Sequence, residues 1–201
     1  MKLLYATENA SKICNMRYRL TGYDIEIITP KDIGIHIEVD ENGTTPIENA
    51  RLKAQAYFDK TGIPTLAADS GLYIDDIPDE AQPGLFVRRV NGKKLSDHEM
   101  IQHYCALSNT YGGKLTARYV TGLVLLLGDE LEHSVEIPDD DFIISNKPNE
   151  NRAHRGNPLD VVTICPANGK YFNDCSLEEL AIMANSFDKK CIGFLKDAGI
   201  L

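Results

Sequence analysis

The sequence predicts an α/β fold, in which apolar strands alternate with amphipathic helices. Two helix starts are well marked, because the segments 45–48 and 96–99 each place a hydroxyl residue three positions before a glutamate, the spacing of a capping box. The apolar segments 115–127 and 131–137 flank a Gly-Asp-Glu turn and predict a hairpin. At 201 residues, the chain suits one large domain or two small lobes.

Further strands and helices are predicted in alternation along the chain. The predicted strands are 2–6, 24–28, 65–68 and 161–165, and the predicted helices are 9–20, 46–61, one opening at Ser96 and one running from Ser176 toward Leu195. Asn9 is a candidate N-cap, and the helix 46–61 has a proline in its first position and a Gly62 stop. The polar segment 146–157 is the one long loop candidate.

Composition limits the classes of function. The chain is 43% hydrophobic and 25% charged, which predicts a globule, and its net charge of −9 disfavours a nucleic-acid partner. Its five cysteines are widely spaced and form no zinc or disulfide pattern. The longest apolar run is far too short to cross a bilayer, and the N-terminus does not resemble a signal peptide. We therefore predict a cytoplasmic protein with no membrane partner.

Two acidic residues are joined through one predicted helix and one predicted strand. Glu41 precedes the helix 46–61, and Asp69 follows the strand 65–68 as the first residue of an Asp-Ser-Gly sequence. Carboxylates at two such loop ends often hold a divalent cation over phosphates. Asp, Ser and Gly are also ordinary turn formers, so a simple turn at 69–71 is the alternative.

The exit from the first predicted strand has the features of an anion site. The segment 5–12 reads as a strand end, a polar turn and a helix start, and Lys12 adds a positive charge. The free amides and the dipole of a helix N-terminus favour phosphate. An ordinary capped turn explains the same pattern, and the glycine and lysine spacing of a P-loop is missing.

Together, these segments resemble the inosine/xanthosine triphosphate pyrophosphatase family. The matching motifs are Ala6-Thr7-Glu8-Asn9-Ala10-Ser11-Lys12, the Glu-x-Gly-x-Thr-x-x-Glu-Asn-Ala-x-x-Lys-Ala pattern at 41–54, Ala67-Ala68-Asp69-Ser70-Gly71-Leu72, Pro83-Gly84 with Arg89, and Gly156-Asn157-Pro158-Leu159-Asp160-Val161 with Pro166 and Gly169-Lys170. Their order and spacing hold over nearly the whole chain.

The resemblance implies a fold, a reaction and an assembly. The fold is an elongated mixed β-sheet flanked by helices, forming a single domain over 1–201 with two lobes and a central nucleotide cleft. The reaction is hydrolysis of a nucleoside triphosphate to the monophosphate and pyrophosphate. The family is commonly dimeric, which implies a homodimer.

The resemblance also implies residue roles. Glu41 and Asp69 hold Mg²⁺, with Mn²⁺ an open alternative, and Asp69 is catalytic because it helps to activate the attacking water. The implied phosphate-binding residues are Thr7, Asn9, Lys12, Lys53 and Ser70. The implied nucleotide-pocket residues are Asn157, Asp160, Ser186, Phe187 and Asp188. A solvated helix lysine at Lys53 and a turn residue at Ser70 are the alternatives.

The chain departs from the family where the base is read. The family's Ser-His-Arg aligns with 186–188, Ser-Phe-Asp, so an acid stands at the arginine position. Ile182 replaces a lysine, Glu8 replaces a glycine of the phosphate loop and Ala68 replaces the first acid of a pair. A site that loses its hydrogen-bond donors loses discrimination between bases.

These departures support an altered base preference, in which Asp188 accepts from an amino group and His154 and Arg155 supply donors. The alternatives are a nucleotide-binding or regulatory protein that has lost turnover, and a phosphatase acting on another phosphorylated small molecule. Solvated loop residues are the simpler explanation of His154 and Arg155.

Overall fold

A computed structural model describes residues 1–128, 131–151, 153 and 156–201. The chain divides into two compact units. The first unit contains Met1–Ser70, Val120–Pro138 and Phe187–Leu201, and the second contains Gly71–Tyr119 and Asp139–Ser186. Among the described residues, no helix combines the length and the apolar character needed to cross a membrane.

The described residues form strands and helices in alternation. The strands are β1 Lys2–Tyr5, β2 Glu26–Ile28, β3 Thr65–Ile74, β4 Arg89–Val90, β5 Lys93–Lys94, β6 Lys114–Gly128, β7 Leu131–Pro138, β8 Phe142–Ser145 and β9 Thr163–Ile164. The α-helices are α1 Ala10–Arg19, α2 Pro46–Thr61, α3 Asp97–Thr110 and α4 Leu177–Asp197. Hydrogen bonds order the strands β2-β1-β3-β6-β8-β9, with β7 also pairing with β6. The predicted α/β class and mixed sheet are confirmed.

In the first unit, helices cover both faces of the strands. β1 is parallel to β2 and β3, while β6 and β7 are antiparallel. One face carries Leu3, Leu66 and Leu123, which cluster with Met16 of α1 and Leu195 of α4. The alternate residues cover the other face, where they cluster with side chains of α2. Side chains alternate along a strand, so the continuous apolar runs of these strands match burial on both faces.

In the second unit, α3 begins at the predicted capping box. The Ser96 hydroxyl accepts from the Glu99 amide, and the Glu99 carboxylate accepts from the Ser96 amide in return. Phe142 and Ile144 of β8 cluster with Met100 and Tyr104 of α3. We did not predict β8, which is too short for a clear periodic signal.

The main correction concerns β3, which is longer than the predicted strand 65–68. It runs to Ile74, so the Asp-Ser-Gly sequence at 69–71 lies inside a strand and is neither a turn nor a loop end. β3 pairs with β6, and this long-range strand pairing overrides the local turn preference of these residues. β6 and β7 pair in the antiparallel manner that the predicted hairpin requires, and the predicted turn residues Asp129 and Glu130 lie outside the described residues.

Candidate functional site

The candidate site lies where β3 runs past the end of β1. β1 ends at Tyr5, which pairs with Leu66, and the Ala6 amide still donates to the Leu66 carbonyl. β3 then continues beyond that last bond. Asp69 therefore lies on a part of β3 that extends past β1, at the carboxyl end of the parallel strands, where α/β sheets commonly bind ligands.

Strand alternation separates Asp69 from its neighbour Ser70. Ala67 belongs to the cluster on the α2 face, and Asp69, two residues later, points the same way. Ser70 follows Ala68 onto the opposite face, where its hydroxyl lies 2.9 Å from that of Thr121 in β6. Within the first unit, the Ser70 side chain thus contacts the Thr121 hydroxyl. The phosphate-binding role of Ser70 stays a prediction.

An ammonium group joins the two predicted metal-binding acids. Lys53 Nζ lies 2.8 Å from Asp69 Oδ1 and 3.5 Å from Glu41 Oε2. The Asp69 and Lys53 side chains are only 17% and 14% exposed, while Glu41 is 45% exposed. The structure thus brings Glu41, Lys53 and Asp69 together, and it excludes the alternative of a freely solvated lysine at 53.

Asn49 is a site residue that the sequence analysis missed. Its side-chain oxygen accepts from the Gly43 amide at 2.8 Å, and its side-chain nitrogen donates to Asp69 Oδ2 at 3.4 Å. Asn49 is buried and therefore links the Glu41 loop to the Asp69 carboxylate. The sequence does contain a signal for Asn49: it precedes Lys53 by four residues, and this spacing places both side chains on one face of α2.

A second lysine approaches from α1. Lys12 Nζ donates to the Ala68 carbonyl at 3.2 Å. Burial, and then the nearby Lys53 ammonium, lower the pKa of Lys12, while Asp69 and Glu41 act in the opposite direction. Two ammonium groups and two carboxylates therefore meet at one edge of the sheet, one lysine from each helix layer.

The turn before α1 has the predicted cap. The Asn9 side-chain oxygen accepts from the amides of Ser11 and Lys12, and the Thr7 hydroxyl accepts from the Asn9 amide at 3.2 Å. These hydrogen bonds fix the conformation of the turn. Phosphate binding by Thr7, Asn9 and Lys12 stays a prediction. Glu8, at the position of a family glycine, lies 2.6 Å from His36 Nδ1, and both side chains are exposed.

The donor set suits a magnesium ion. Glu41 and Asp69 supply carboxylate oxygens, the ligands that hard divalent cations prefer, and Mg²⁺ usually takes one or two carboxylates and completes its shell with water and substrate phosphate. In the described part of the chain, no group of three or more His, Cys, Asp or Glu side chains forms a protein-only metal cage. Two carboxylates beside two lysines fit an ion bound together with phosphates.

The family model for the Ham1 family matches residues 3–146, well over half of the chain. The chain belongs to the Ham1 family. This confirms the predicted relationship to the inosine/xanthosine triphosphate pyrophosphatases. The match includes the whole cluster of Lys12, Glu41, Asn49, Lys53 and Asp69.

Named relatives and solved structures agree with Ham1 membership. A dITP/XTP pyrophosphatase of Vibrio parahaemolyticus is 35% identical over 126 residues, which is 62% of this chain and 62% of the relative. One of Aquifex aeolicus is 43% identical over 89 residues, 44% of this chain and 42% of the relative. The alignments thus span less than two thirds of these relatives' length. A HAM1 protein from Coxiella burnetii shares the fold, with a TM-score of 0.80 at 23% identity over 98% of this chain and 99% of its own.

The Ham1 match ends before the predicted base-reading residues. Asp188 forms an ion pair with Arg19, and the Arg19 guanidinium carbon lies 4.8 Å from the centre of the Phe187 ring. Both residues therefore bind α4 to the last turn of α1. Their roles toward a base stay predictions, as does that of Ser186, which lies on α4 in the second unit.

The remaining predicted pocket residues lie in the second unit. The Asn157 side-chain oxygen accepts from the Leu159 amide and so caps the short 3₁₀-helix Pro158–Val161, which contains Asp160. The pKa of Tyr119 is raised to about 12, mainly by burial; a hydrogen bond with Asn157 opposes the shift, and the nearby Asp160 adds to it. The predicted donors His154 and Arg155 lie outside the described residues.

Proposed function

We propose that this chain hydrolyses a nucleoside triphosphate to the monophosphate and pyrophosphate in a Mg²⁺-dependent reaction. The meeting of Glu41, Lys53 and Asp69 with Lys12 at one sheet edge carries the proposal, because these groups can neutralise phosphate charge and orient a water in the same place. Membership of the Ham1 family and the names of the Vibrio and Aquifex relatives support it.

Each side chain has its own role in the proposed hydrolysis. Mg²⁺, held by Glu41 and Asp69, would supply positive charge to the phosphate oxygens. Lys12 and Lys53 bind the phosphate chain from the two helix layers and offset the charge that develops as the anhydride bond breaks. Asp69 accepts a proton from the attacking water while the water oxygen bonds to the α-phosphorus and the bond from that phosphorus to the bridging oxygen breaks, so that pyrophosphate leaves. Asn49 positions the Asp69 carboxylate through its side-chain amide.

The Lys53 ammonium has a second role, toward the two acids. It contacts both the Asp69 and the Glu41 carboxylates. We propose that Lys53 moves its hydrogen bonds from Asp69 to phosphate oxygens when a nucleotide binds. The exchange keeps a positive charge beside the carboxylates in both states, because a buried carboxylate without a partner is costly.

We further propose an altered base preference. The family match stops at residue 146, ahead of the segments that align with the base-reading motifs. Asp188 stands where the family presents an arginine, and its pairing with Arg19 leaves it an acceptor only. A base with an amino group suits such a site better than one with a carbonyl alone.

A pyrophosphate-release screen with Mg²⁺ tests the proposal across ITP, XTP, dITP, GTP, ATP and CTP. We expect turnover with at least one of them, and loss of turnover in Asp69→Asn at a temperature where the variant remains folded. The matched control is Asp59→Asn on the exposed side of α2, which should keep full activity. Absence of turnover with every triphosphate would overturn the proposal, and thermal stabilisation by nucleotide without hydrolysis would favour the binding-protein alternative.

The proposal also covers the oligomeric state of the protein and its location in the cell. A homodimer in the cytoplasm follows from the resemblance to the family. Light scattering coupled to size-exclusion chromatography measures the mass directly against the 22.3 kDa of one chain. A mass of one chain at micromolar concentration would contradict the dimer.

A further inference from the structure

His36 lies in the segment that connects β2 to α2, and this segment is anchored on the α2 face of the sheet. Across 35–40, half-buried apolar residues alternate with exposed polar ones, which is the pattern of an extended chain. Ile35 and Ile37 pack against the cluster on the α2 face, and the Ile37 amide donates to the Tyr57 hydroxyl of α2. His36, between these two isoleucines, therefore points away from the cluster, and its imidazole is exposed.

The imidazole of His36 meets the carboxylate of Glu8 in the turn before α1. His36 Nδ1 lies 2.6 Å from Glu8 Oε1, and the two side chains are 73% and 58% exposed. This contact uses one ring nitrogen, and the described part of the chain gives the other nitrogen, Nε2, no hydrogen bond. Nε2 is therefore accessible to a ligand that binds beside the turn.

Glu8 without a partner would oppose phosphate binding at this turn. Its neighbours Thr7 and Asn9 shape the turn, and Asn9 also accepts from the amide of Lys12, whose ammonium belongs to the cluster around Asp69. A carboxylate in this position adds negative charge where the phosphates of the substrate are proposed to bind. A protonated imidazole beside it supplies the opposite charge, so the pair as a whole need not repel phosphate.

From this geometry we infer that His36 binds the phosphate chain of the substrate and that Glu8 positions the His36 ring. Both nitrogens of a histidine donate only when the ring is protonated, so Nδ1 donates to Glu8 while Nε2 donates to a phosphate oxygen. A carboxylate on one nitrogen fixes the direction in which the other nitrogen points. The inference rests on the proposed function, because it adds two residues to the same phosphate site.

The exposure of the pair makes the inference easy to separate from folding. An exposed ion pair contributes little to the free energy of unfolding. His36→Gln and Glu8→Gln should therefore leave the melting temperature nearly unchanged. A change in ligand affinity in these variants then reports on the phosphate site and not on the stability of the fold.

The test is an isothermal titration of the full chain with inorganic triphosphate and Mg²⁺ at a pH of about 6, where exposed histidines are mostly protonated. His36→Gln should weaken binding about tenfold, which corresponds to the loss of one charge-assisted hydrogen bond. The matched control is Glu26→Gln, which removes an exposed carboxylate paired in register with Lys2, at the opposite end of β1 from the turn. It should leave the affinity within about a factor of two, because distant exposed charges are screened.

The sign of the Glu8→Gln effect separates positioning from simple repulsion. If Glu8 positions His36, its replacement weakens triphosphate binding in the parent chain but tightens it in His36→Gln, where the carboxylate has lost its partner. If Glu8 only repels phosphate, its replacement tightens binding in both. Tighter binding in Glu8→Gln alone, or unchanged binding in His36→Gln, would overturn the inference and leave the proposed hydrolysis intact. Failure of the parent chain to bind triphosphate would overturn both together.

Discussion

Replacing Lys53 by methionine should tighten the binding of Mg²⁺ to the free chain while slowing hydrolysis. The ammonium of Lys53 lies 2.8 Å from Asp69 and 3.5 Å from Glu41, so it competes with any cation for both carboxylates. Methionine retains the length and most of the apolar stem of lysine but carries no charge. The two acids then lose their counter-ion, and a divalent ion becomes their best remaining partner.

The size of both effects follows from how far each ion pair of Lys53 is shielded from water. A net hydrogen bond to a charged group is worth about 1.5–3 kcal/mol, and the Lys53–Asp69 pair, mostly shielded from water, fits that range. The longer contact with the half-exposed Glu41 contributes about 0–1 kcal/mol. Removing a competitor worth about 2 kcal/mol lowers the Mg²⁺ dissociation constant by about 30-fold. Loss of one charge-assisted hydrogen bond to the phosphates, worth about 1.5–3 kcal/mol, lowers kcat/KM by about 10- to 150-fold.

Isothermal titration of Mg²⁺ without nucleotide measures the first effect, and pyrophosphate release measures the second. Lys60→Met is the matched control, because it removes a lysine from the exposed side of the same helix. It should leave both quantities within a factor of two of the parent chain, since exposed charges are screened. If Lys53→Met left Mg²⁺ affinity unchanged or weaker, the ammonium would not compete for the metal carboxylates.

Two further predictions concern stability. Gly122→Ala should lower the free energy of unfolding by about 1–3 kcal/mol in urea titration, because its Cβ would lie 2.4 Å from the Ile47 backbone nitrogen, whereas Gly128→Ala, with open space, should cost much less. Glu99 has a pKa of about 2, below its ordinary 4.5, owing to Lys93 and then Ser96. The Glu99 carboxylate therefore makes its full contribution to the free energy of unfolding above pH 4.5, and this contribution is lost as the pH falls toward 2. The difference in urea midpoint between the parent chain and Glu99→Gln should shrink over that window, and a constant difference would refute the shift.

Local signals explain why most elements were predictable. The helix α2 begins at Pro46 and ends at Thr61, as predicted, because Thr45 caps it and Gly62 adopts a left-handed conformation at its end. The cap differs in one detail: the Glu48 carboxylate accepts mainly from Thr44, one residue before the cap. Signals of this kind involve residues close in sequence and so need no tertiary information.

Long-range partners explain what the sequence did not reveal. Asp69 lies inside β3 because β6, remote in sequence, continues beside it, whereas its local sequence favours a turn. Asp188 meets Arg19 across 169 positions, and no local pattern marks that pair. The sequence did predict the chemical types at the site, since Glu41, Lys53 and Asp69 stand at motif positions, but it did not predict that Lys53 would join the two acids.

The start of α2 connects the stability of the first unit to the geometry of the site. Asn49 and Lys53 lie on one face of α2, and their positions relative to Asp69 depend on where the helix begins and how closely it approaches the sheet. Thr45 caps α2 and so fixes where the helix begins. Gly122 lies against the backbone of Ile47 and so fixes how closely the helix approaches the sheet. A side chain at Gly122 would therefore move both Asp69 partners together. Gly122→Ala should thus lower Mg²⁺-dependent turnover even at temperatures where the chain remains folded, and undiminished turnover would show that Asp69 is positioned independently of α2.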